Sequence, residues 1–258
     1  MGRIPRVLSI AGSDSGGGAG IQADLKAFAA CGVHGMTAIT AITAQNTVGV
    51  SAVHPIPPAI IVEQVRQVAE DIGVDAVKIG MLGDTQTIEA VVEALKHVGE
   101  APIVLDPVMV AESGAPLLAE DAREALRDHV LPLIDVATPN IAEATVLAQR
   151  EASPDDLAKA VHALGPKAVV VTGGHRGDAT DVFFDGYRLE AIPGERHPDG
   201  AAHGSGCTHS SALAAHLAKG ADPLEAARRA KEVAARAVAQ GLRDLGRGAG
   251  PVDVIGLA

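Results

Sequence analysis

Short aliphatic runs of strand length alternate with helical stretches along nearly the whole chain, and this alternation narrows the possible folds most. Val7-Leu8-Ser9-Ile10 reads as a strand, and residues 21–30 as a helix stopped at Gly32. Residues 37–43 read as a β-branched strand, and 58–72 as an amphipathic helix with Ile61, Val65, Val68 and Ile72 on one face. A strand at 76–79, a helix at 85–96 and a strand at 103–105 follow, with later strands near 135–138 and 168–172. Further helices start after Pro139, Pro154, Gly206 and Pro223. In the last, Leu224, Ala227, Ala230, Ala234 and Val238 are expected inward, opposed by Arg228, Lys231 and Arg236. The pattern predicts an α/β fold with a mostly parallel central sheet and helices on both faces. No repeat, low-complexity tract or linker interrupts it, so one domain is expected over residues 1–258. Residues 112–116 and 194–203 look irregular and are expected to act as mobile covers.

Composition narrows the partners. Apolar residues make up 47% of the 258, but aromatics only 2%, so the core must be built from Ala, Val, Leu and Ile. Few aromatics also argue against a protein that stacks nucleic-acid bases. The net charge of −11 would repel a polyanion over most of the surface. An anionic nucleotide therefore needs local help from Mg²⁺, backbone amides or helix N-termini. The apolar run after Met1-Gly2-Arg3 is too short for a signal core or a membrane span. Two cysteines, Cys31 and Cys207, form neither a metal-spaced set nor a disulfide framework, which fits a reducing cytoplasm.

In a parallel α/β sheet, ligands bind beyond the carboxyl ends of the strands. The sharpest motif there is Gly204-Ser205-Gly206-Cys207-Thr208, which enters an Ala/Leu-rich helix. Glycines let successive amides converge, and the helix end adds about half a positive charge, giving an anion hole. An ordinary Gly-rich helix start is the plainer reading. A thiol at a helix start has a lowered pKa and can act as a base, or Cys207 can be a small apolar filler. His203 and His209 flank the turn, so a Cys–His nucleophile pair is a rival. The earlier turn, Gly12 to Gly20, is neither a Walker A loop nor a clean dinucleotide fingerprint. Its glycines let the backbone approach a small substrate. Asp24, one turn into the next helix, either points back to that site or is an exposed helix carboxylate. Asp106 and Glu143 follow strands and can hold Mg²⁺, or they can serve as a turn cap and a first-turn helix charge.

These motifs together resemble the hydroxymethylpyrimidine/phosphomethylpyrimidine kinases of thiamine biosynthesis, in the ribokinase-like superfamily. The resemblance runs from about Ile10 to Pro251 and is carried by Ile10-Ala11-Gly12-Ser13-Asp14 and Gly17-Gly18-Ala19-Gly20-Ile21-Gln22-Ala23-Asp24-Leu25-Lys26. It continues in Ala44-Gln45-Asn46-Thr47, Lys78-Ile79-Gly80-Met81-Leu82, Leu105-Asp106-Pro107-Val108-Met109, Thr138-Pro139-Asn140, Gly173-Gly174-His175 and His203 to Thr208. It implies ATP-dependent phosphorylation of 4-amino-5-hydroxymethyl-2-methylpyrimidine and then of its monophosphate. Gln45 would bond the aminopyrimidine edge, and Gly12, Asp24, Met81 and Val108 would line the substrate pocket. Gly204, Ser205, Gly206 and Cys207 would be the catalytic anion hole, with Cys207 beside the substrate hydroxymethyl group. Asp106, Asn140, Glu143, Thr172 and Gly174 would face ATP, with Asp106 and Glu143 organising Mg²⁺. A homodimer is implied as well.

One position departs from the family. Lys usually precedes Gly-Gly-His and reaches the nucleotide phosphates, whereas this chain has Thr172. Lys167 is several residues away and is not expected to replace it, while Arg176 is a candidate substitute. Two rival functions follow. One is a pyridoxal or pyridoxamine kinase of the same fold. The other is a pyrimidine or nucleotide binder that has lost turnover.

Overall fold

A computed structural model describes residues 2–174, 179–198 and 200–257. β1 (Arg6–Ala11) leads into α1 (Gly20–Ala30), β2 (His34–Ile39), β3 (Ala41–Asn46), β4 (Gly49–Pro55) and α2 (Pro58–Asp71). β5 (Ala76–Ile79), α3 (Thr85–Ala94), β6 (Ile103–Leu105), a short α4 (Ala122–Ala125) and β7 (Val136–Ala137) follow. The remainder is α5 (Ile141–Ala148), α6 (Pro154–His162), β8 (Ala168–Val171), β9 (Asp181–Phe184), β10 (Leu189–Ile192), α7 (Ser205–Ala218) and α8 (Pro223–Ala239). Side-chain caps explain several helix starts. Asp84 accepts the Thr87 amide before α3, Ser153 accepts the Asp156 amide before α6, and Asp222 accepts the Leu224 and Glu225 amides before α8.

The main sheet has the order β10-β9-β8-β7-β6-β5-β1-β2. From β2 through β8 all pairings are parallel, and β9 and β10 add an antiparallel edge. Alternate strand residues enter two aliphatic layers, as a period of two requires. Leu8, Ile10, Val77, Ile79, Leu105 and Val169 pack towards Ile61, Val65, Ile88, Val91 and Val161 of α2, α3 and α6. Val7, Ala76, Val104, Val136 and Val170 pack towards Phe28 of α1 and the Ala-rich faces of α7 and α8. Strand order turns back at β1, whose neighbours are β2 on one side and β5 on the other. The crevice beyond that point is where a sheet of this kind binds ligands.

Three expectations change. The strand read at 37–43 is broken at Thr40, where the chain leaves the main sheet: the Thr40 amide donates to Ala11 O and its hydroxyl to Met81 O. β3 then pairs antiparallel with β4 as a separate two-stranded sheet, so Gln45 lies within a strand and not after one. β4 escapes the sequence pattern because most of its residues are exposed and show no buried periodicity. Finally, Lys231 does not join Arg228 and Arg236 on the exposed face of α8. Its side chain is 12% exposed and pairs with Asp181. Residues 111–115 close a tight turn, with the Ala111 amide donating to Ala115 O and the Gly114 amide to Ala111 O.

Candidate active site

The C-terminal ends of β1, β5, β6, β7 and β8 open onto one cavity of about 440 Å³. Gly12, Gln45, Met81, Asp106, Val108, Asn140, Glu143, Thr172, Gly174, Gly204, Ser205, Gly206 and Cys207 all line it. His175 and Arg176 lie outside the described residues.

The glycines earn their places by contact. A Cβ on Gly12 would stand 2.5 Å from the Met81 methyl, so only glycine leaves Met81 its position. Gly204 caps α7 with φ +82°, and a Cβ there would stand 1.8 Å from Gly18 O. The first Gly-rich turn and the α7 entrance thus meet backbone to backbone. Asp14 holds them together. Its carboxylate accepts the Gly16, Gly18 and Ala19 amides and sits 3.0 Å from His203 Nε2. Burial works against the Asp14 charge, but His203 and the amides outweigh it and keep this carboxyl below its usual range. Among the described residues no side chain caps α7; its Ser205 amide donates to Ala202 O, and the Gly206 and Cys207 amides are left for a ligand.

Asp24 does not line the cavity. It is fully buried behind it, where Oδ1 accepts Lys78 Nζ (2.9 Å) and Ser211 Oγ (2.8 Å), and Oδ2 accepts Ser9 Oγ (2.6 Å). A carboxylate so fully bonded has little capacity left for substrate, and α1 presents it to the sheet rather than to the crevice. Its partner Lys78, fully buried in β5, lines the cavity; the sequence offers it as part of Lys78-Ile79-Gly80-Met81-Leu82 but assigns it no role. Burial alone would strip the Lys78 proton, but Asp24, with Cys207 and Asp106, holds the ammonium above its ordinary range. A signal existed: lysine is rarely found fully buried unless paired, and this one interrupts an apolar strand.

Asp106 follows β6 and is buried, with Oδ2 accepting Ser210 Oγ at 3.0 Å. Burial pushes this carboxyl up, with Asp24 adding to the effect, while Lys78 and Ser210 oppose it. Glu143 has two roles. It completes a capping box for α5, accepting the Asn140 amide while Asn140 Oδ1 accepts its own. It also faces Asp106, and burial together with that charge pushes its carboxyl up to about 8. Two crowded, partly dehydrated carboxyls form a hard-oxygen pair suited to a divalent cation. Among the described residues no group of three or more potential ligands exists, so substrate oxygens and water would complete any shell.

Cys207 departs from its expected ionisation. The helix end was expected to lower the thiol, yet burial pushes it up to about 12. The Asp106 and Asp24 charges add to the rise, whereas Lys78 and the Gly20 amide oppose it. A half charge at a helix terminus does not offset lost hydration beside two carboxylates.

The phosphomethylpyrimidine kinase family profile matches residues 14–253. A hydroxymethylpyrimidine/phosphomethylpyrimidine kinase of Rhizobium meliloti is 49% identical over 95% of both chains. A thiamine biosynthesis bifunctional protein of Geobacter sulfurreducens is 45% identical over 96% of this chain and 52% of its own. In three dimensions, a Bacillus subtilis pyridoxal kinase solved as an ADP complex superposes with a TM-score of 0.89, at 39% identity over 97% of both chains.

Proposed function

The chain belongs to the phosphomethylpyrimidine kinase family, phosphotransferases of thiamine biosynthesis with a ribokinase-like fold, and from that premise we propose how its own residues divide the work. The cavity takes the hydroxymethylpyrimidine between Gly12, Gln45, Met81 and Val108, and ATP towards Asn140, Thr172 and Gly174. The α7 entrance stabilises charge on the phosphoryl group in flight, and Cys207 stands at the hydroxymethyl oxygen. A bound Mg²⁺ would neutralise phosphate charge, with Asp106 and Glu143 the residues to hold it. The same cavity then serves the monophosphate. One observation carries the reading: an uncapped helix start, a thiol and a buried carboxyl pair converge on one cavity that also has Gln45 in its wall.

The deciding experiment follows label from γ-labelled ATP to the hydroxymethylpyrimidine, its monophosphate, pyridoxal and pyridoxamine. Transfer to both pyrimidines supports the reading, and nucleotide binding without transfer to any acceptor would overturn it. Pyridoxal phosphorylation is a second reading, favoured by the likeness to the Bacillus subtilis pyridoxal kinase. It wins if pyridoxal is the better acceptor by kcat/KM.

Gln45 tests the substrate end. Its backbone is tied to Ser15, the amide donating to Ser15 Oγ and the carbonyl accepting from it, which leaves the side chain free for an aminopyrimidine edge. Gln45→Leu is expected to cost about 1–3 kcal/mol of pyrimidine affinity with ATP affinity unchanged, read by calorimetry. Equal loss of both would make Gln45 structural.

Glu143 tests the metal end. Its carboxyl is raised from 4.5 to about 8, so at neutral pH the free protein keeps it mostly protonated. A group raised in this way favours the folded state at low pH, and that contribution is lost as pH rises from about 4.5 through about 8. A cation prefers the anion, so Mg²⁺·ATP binding near pH 7 should release a proton and, above about pH 9, should not. Titrations in buffers of different ionisation enthalpy measure this. A heat of binding identical in all buffers near pH 7 would remove Glu143 from the metal site.

A homodimer belongs to the same proposal. Ile42, Val48 and Val53 are about half exposed on and beside the two-stranded sheet and offer it an apolar surface. Sedimentation would test it. We also place the protein in the cytoplasm, in keeping with the free thiols of Cys31 and Cys207. Among the described residues no helix is long and apolar enough to cross a membrane.

A further inference from the structure

Lys231, from the middle of α8, is turned into the cavity wall where Thr172, Gly174, Asp181 and His209 also stand. Its Nζ lies 2.6 Å from Asp181 Oδ1, and the same oxygen accepts the Gly173 amide at 2.8 Å. One carboxylate therefore fixes the lysine beside the backbone that follows β8. Gly194 covers its stem, since a Cβ there would stand 2.4 Å from Lys231 Cε.

The cluster is not saturated. Asp181 Oδ2 and both ring nitrogens of His209 are buried without a hydrogen-bond partner among the described residues, although His209 Nε2 is only 3.6 Å from Asp181 Oδ2. Buried polar groups that serve the fold alone are normally all bonded. The Lys231 ammonium can give three hydrogen bonds and, among the described residues, gives one, to Asp181. Charge points the same way. Asp14, Asp106, Glu112, Glu143, Asp181 and Glu195 line the cavity with Lys78, Arg196 and Lys231, and Lys78 is committed to Asp24. Among the described residues Arg196 and Lys231 are the lining cations left for an anionic nucleotide; Arg196 is an exposed loop residue, whereas Lys231 is held through Asp181 beside the backbone that carries the neutral Thr172.

Resting on the kinase reading above, we infer that Lys231 is the side chain that receives the nucleotide phosphates, with Asp181 as its holder. The ammonium bonds a phosphate oxygen with a hydrogen it does not spend on Asp181. His209, whose ring has no hydrogen-bond partner among the described residues, is placed to turn towards Asp181 Oδ2 when the phosphate draws on the lysine. The positive charge that position 172 lacks is thus supplied from α8.

The test is equilibrium binding of Mg²⁺·ATP, ADP, adenosine and the pyrimidine monophosphate to the full-length protein. Lys231→Met should weaken ATP by about tenfold to a hundredfold. ADP should weaken less, and adenosine and the monophosphate should stay as in the wild type. Lys231→Arg should retain most of the ATP affinity, and Thr172→Lys should restore it in the Lys231→Met background. Equal losses for ATP and adenosine would make Lys231 structural. A loss confined to the monophosphate, or no loss at all, would also overturn the inference. Lys231→Met leaves Asp181 buried without its cation, so Lys231→Met with Asp181→Asn is the control if the single variant does not fold, with the same pattern expected. A wild type that transfers no phosphate but shows this pattern would sink the kinase reading and leave Lys231 in place. An active wild type whose Lys231→Met variant binds ATP normally would do the reverse.

Discussion

Cys207→Ala is expected to lower kcat by about 10²–10⁴-fold while pyrimidine and ATP dissociation constants barely move. The thiol stands at the uncapped start of α7, on the same cavity as Gln45 and the carboxyl pair. Because burial pushes it up to about 12, on the order of one thiol in 10⁵ is ionised near pH 7. A thiol cannot accept a proton, so only that thiolate fraction can act as the base. Wild-type kcat/KM for the pyrimidine at saturating Mg²⁺ should therefore climb about tenfold per pH unit between about pH 7 and 9, a slope that Cys207→Ala loses. Saturating metal keeps Glu143 ionised, which separates its titration from that of the thiol. Alkylation of the free enzyme should be slow at neutral pH, accelerate with pH and be blocked by bound pyrimidine. An Ala variant within a few-fold of wild type, with a flat wild-type profile, would leave the backbone anion hole as the catalyst. That outcome is chemically reasonable, since phosphoryl transfer through a loose transition state asks little of a base.

Removing divalent metal is expected to abolish turnover, with Mg²⁺ restoring it, and Asp106→Asn should reduce kcat far more than pyrimidine affinity. Asp106 is buried at the end of β6 with Ser210 as its donor, and Glu143 faces it from the capping box of α5. Without a cation, the nucleotide phosphates would enter beside both carboxyls, in a site where low polarity magnifies repulsion. Asp106→Asn keeps shape and hydrogen bonding but removes half of the carboxyl pair. Its folding stability should stay near or above wild type, because an unfavourable buried charge is gone. Thermal unfolding then separates a catalytic loss from a folding one. Full activity in a chelator, or an Asp106→Asn enzyme of normal kcat, would remove these residues from metal binding.

At the Thr172 end of the cavity, local sequence pattern does not reveal the charge that the fold brings in. Thr172 lacks the charge usual at its position, and the cations near it in sequence are Lys167 and Arg176. Lys167 is tied to Asp135 at the opposite end of β8, and Arg176 lies outside the described residues. The lysine that reaches this wall is Lys231, 50 residues from the Asp181 that holds it. Helical periodicity placed it on the polar side of α8 together with Arg228 and Arg236. Periodicity sorts residues by solvent, and a lysine turned into a polar crevice looks the same as one turned to water.

What the sequence determined by itself was everything carried by local pattern. Strand and helix alternation set a mostly parallel sheet with helices on both faces, because each period of burial is written into consecutive residues. The same alternation located the cavity, since in such a sheet the loops after the strands converge on one crevice. The glycine at 204 was legible because only glycine admits the backbone contact and the positive φ found there. The tertiary structure alone decided which charged groups meet. Asp24 pairs with Lys78 across 54 residues, and Ser210 reaches Asp106 across 104. These pairings depend on which strands and helices the chain sets side by side, and no spacing within a segment encodes that. The protonation of Cys207 followed from the same source. A helix start is visible in sequence and argues for an acidic thiol, but the dehydration and the two carboxylates that reverse its sign come from other elements, and their combined effect exceeds half a unit of helix charge.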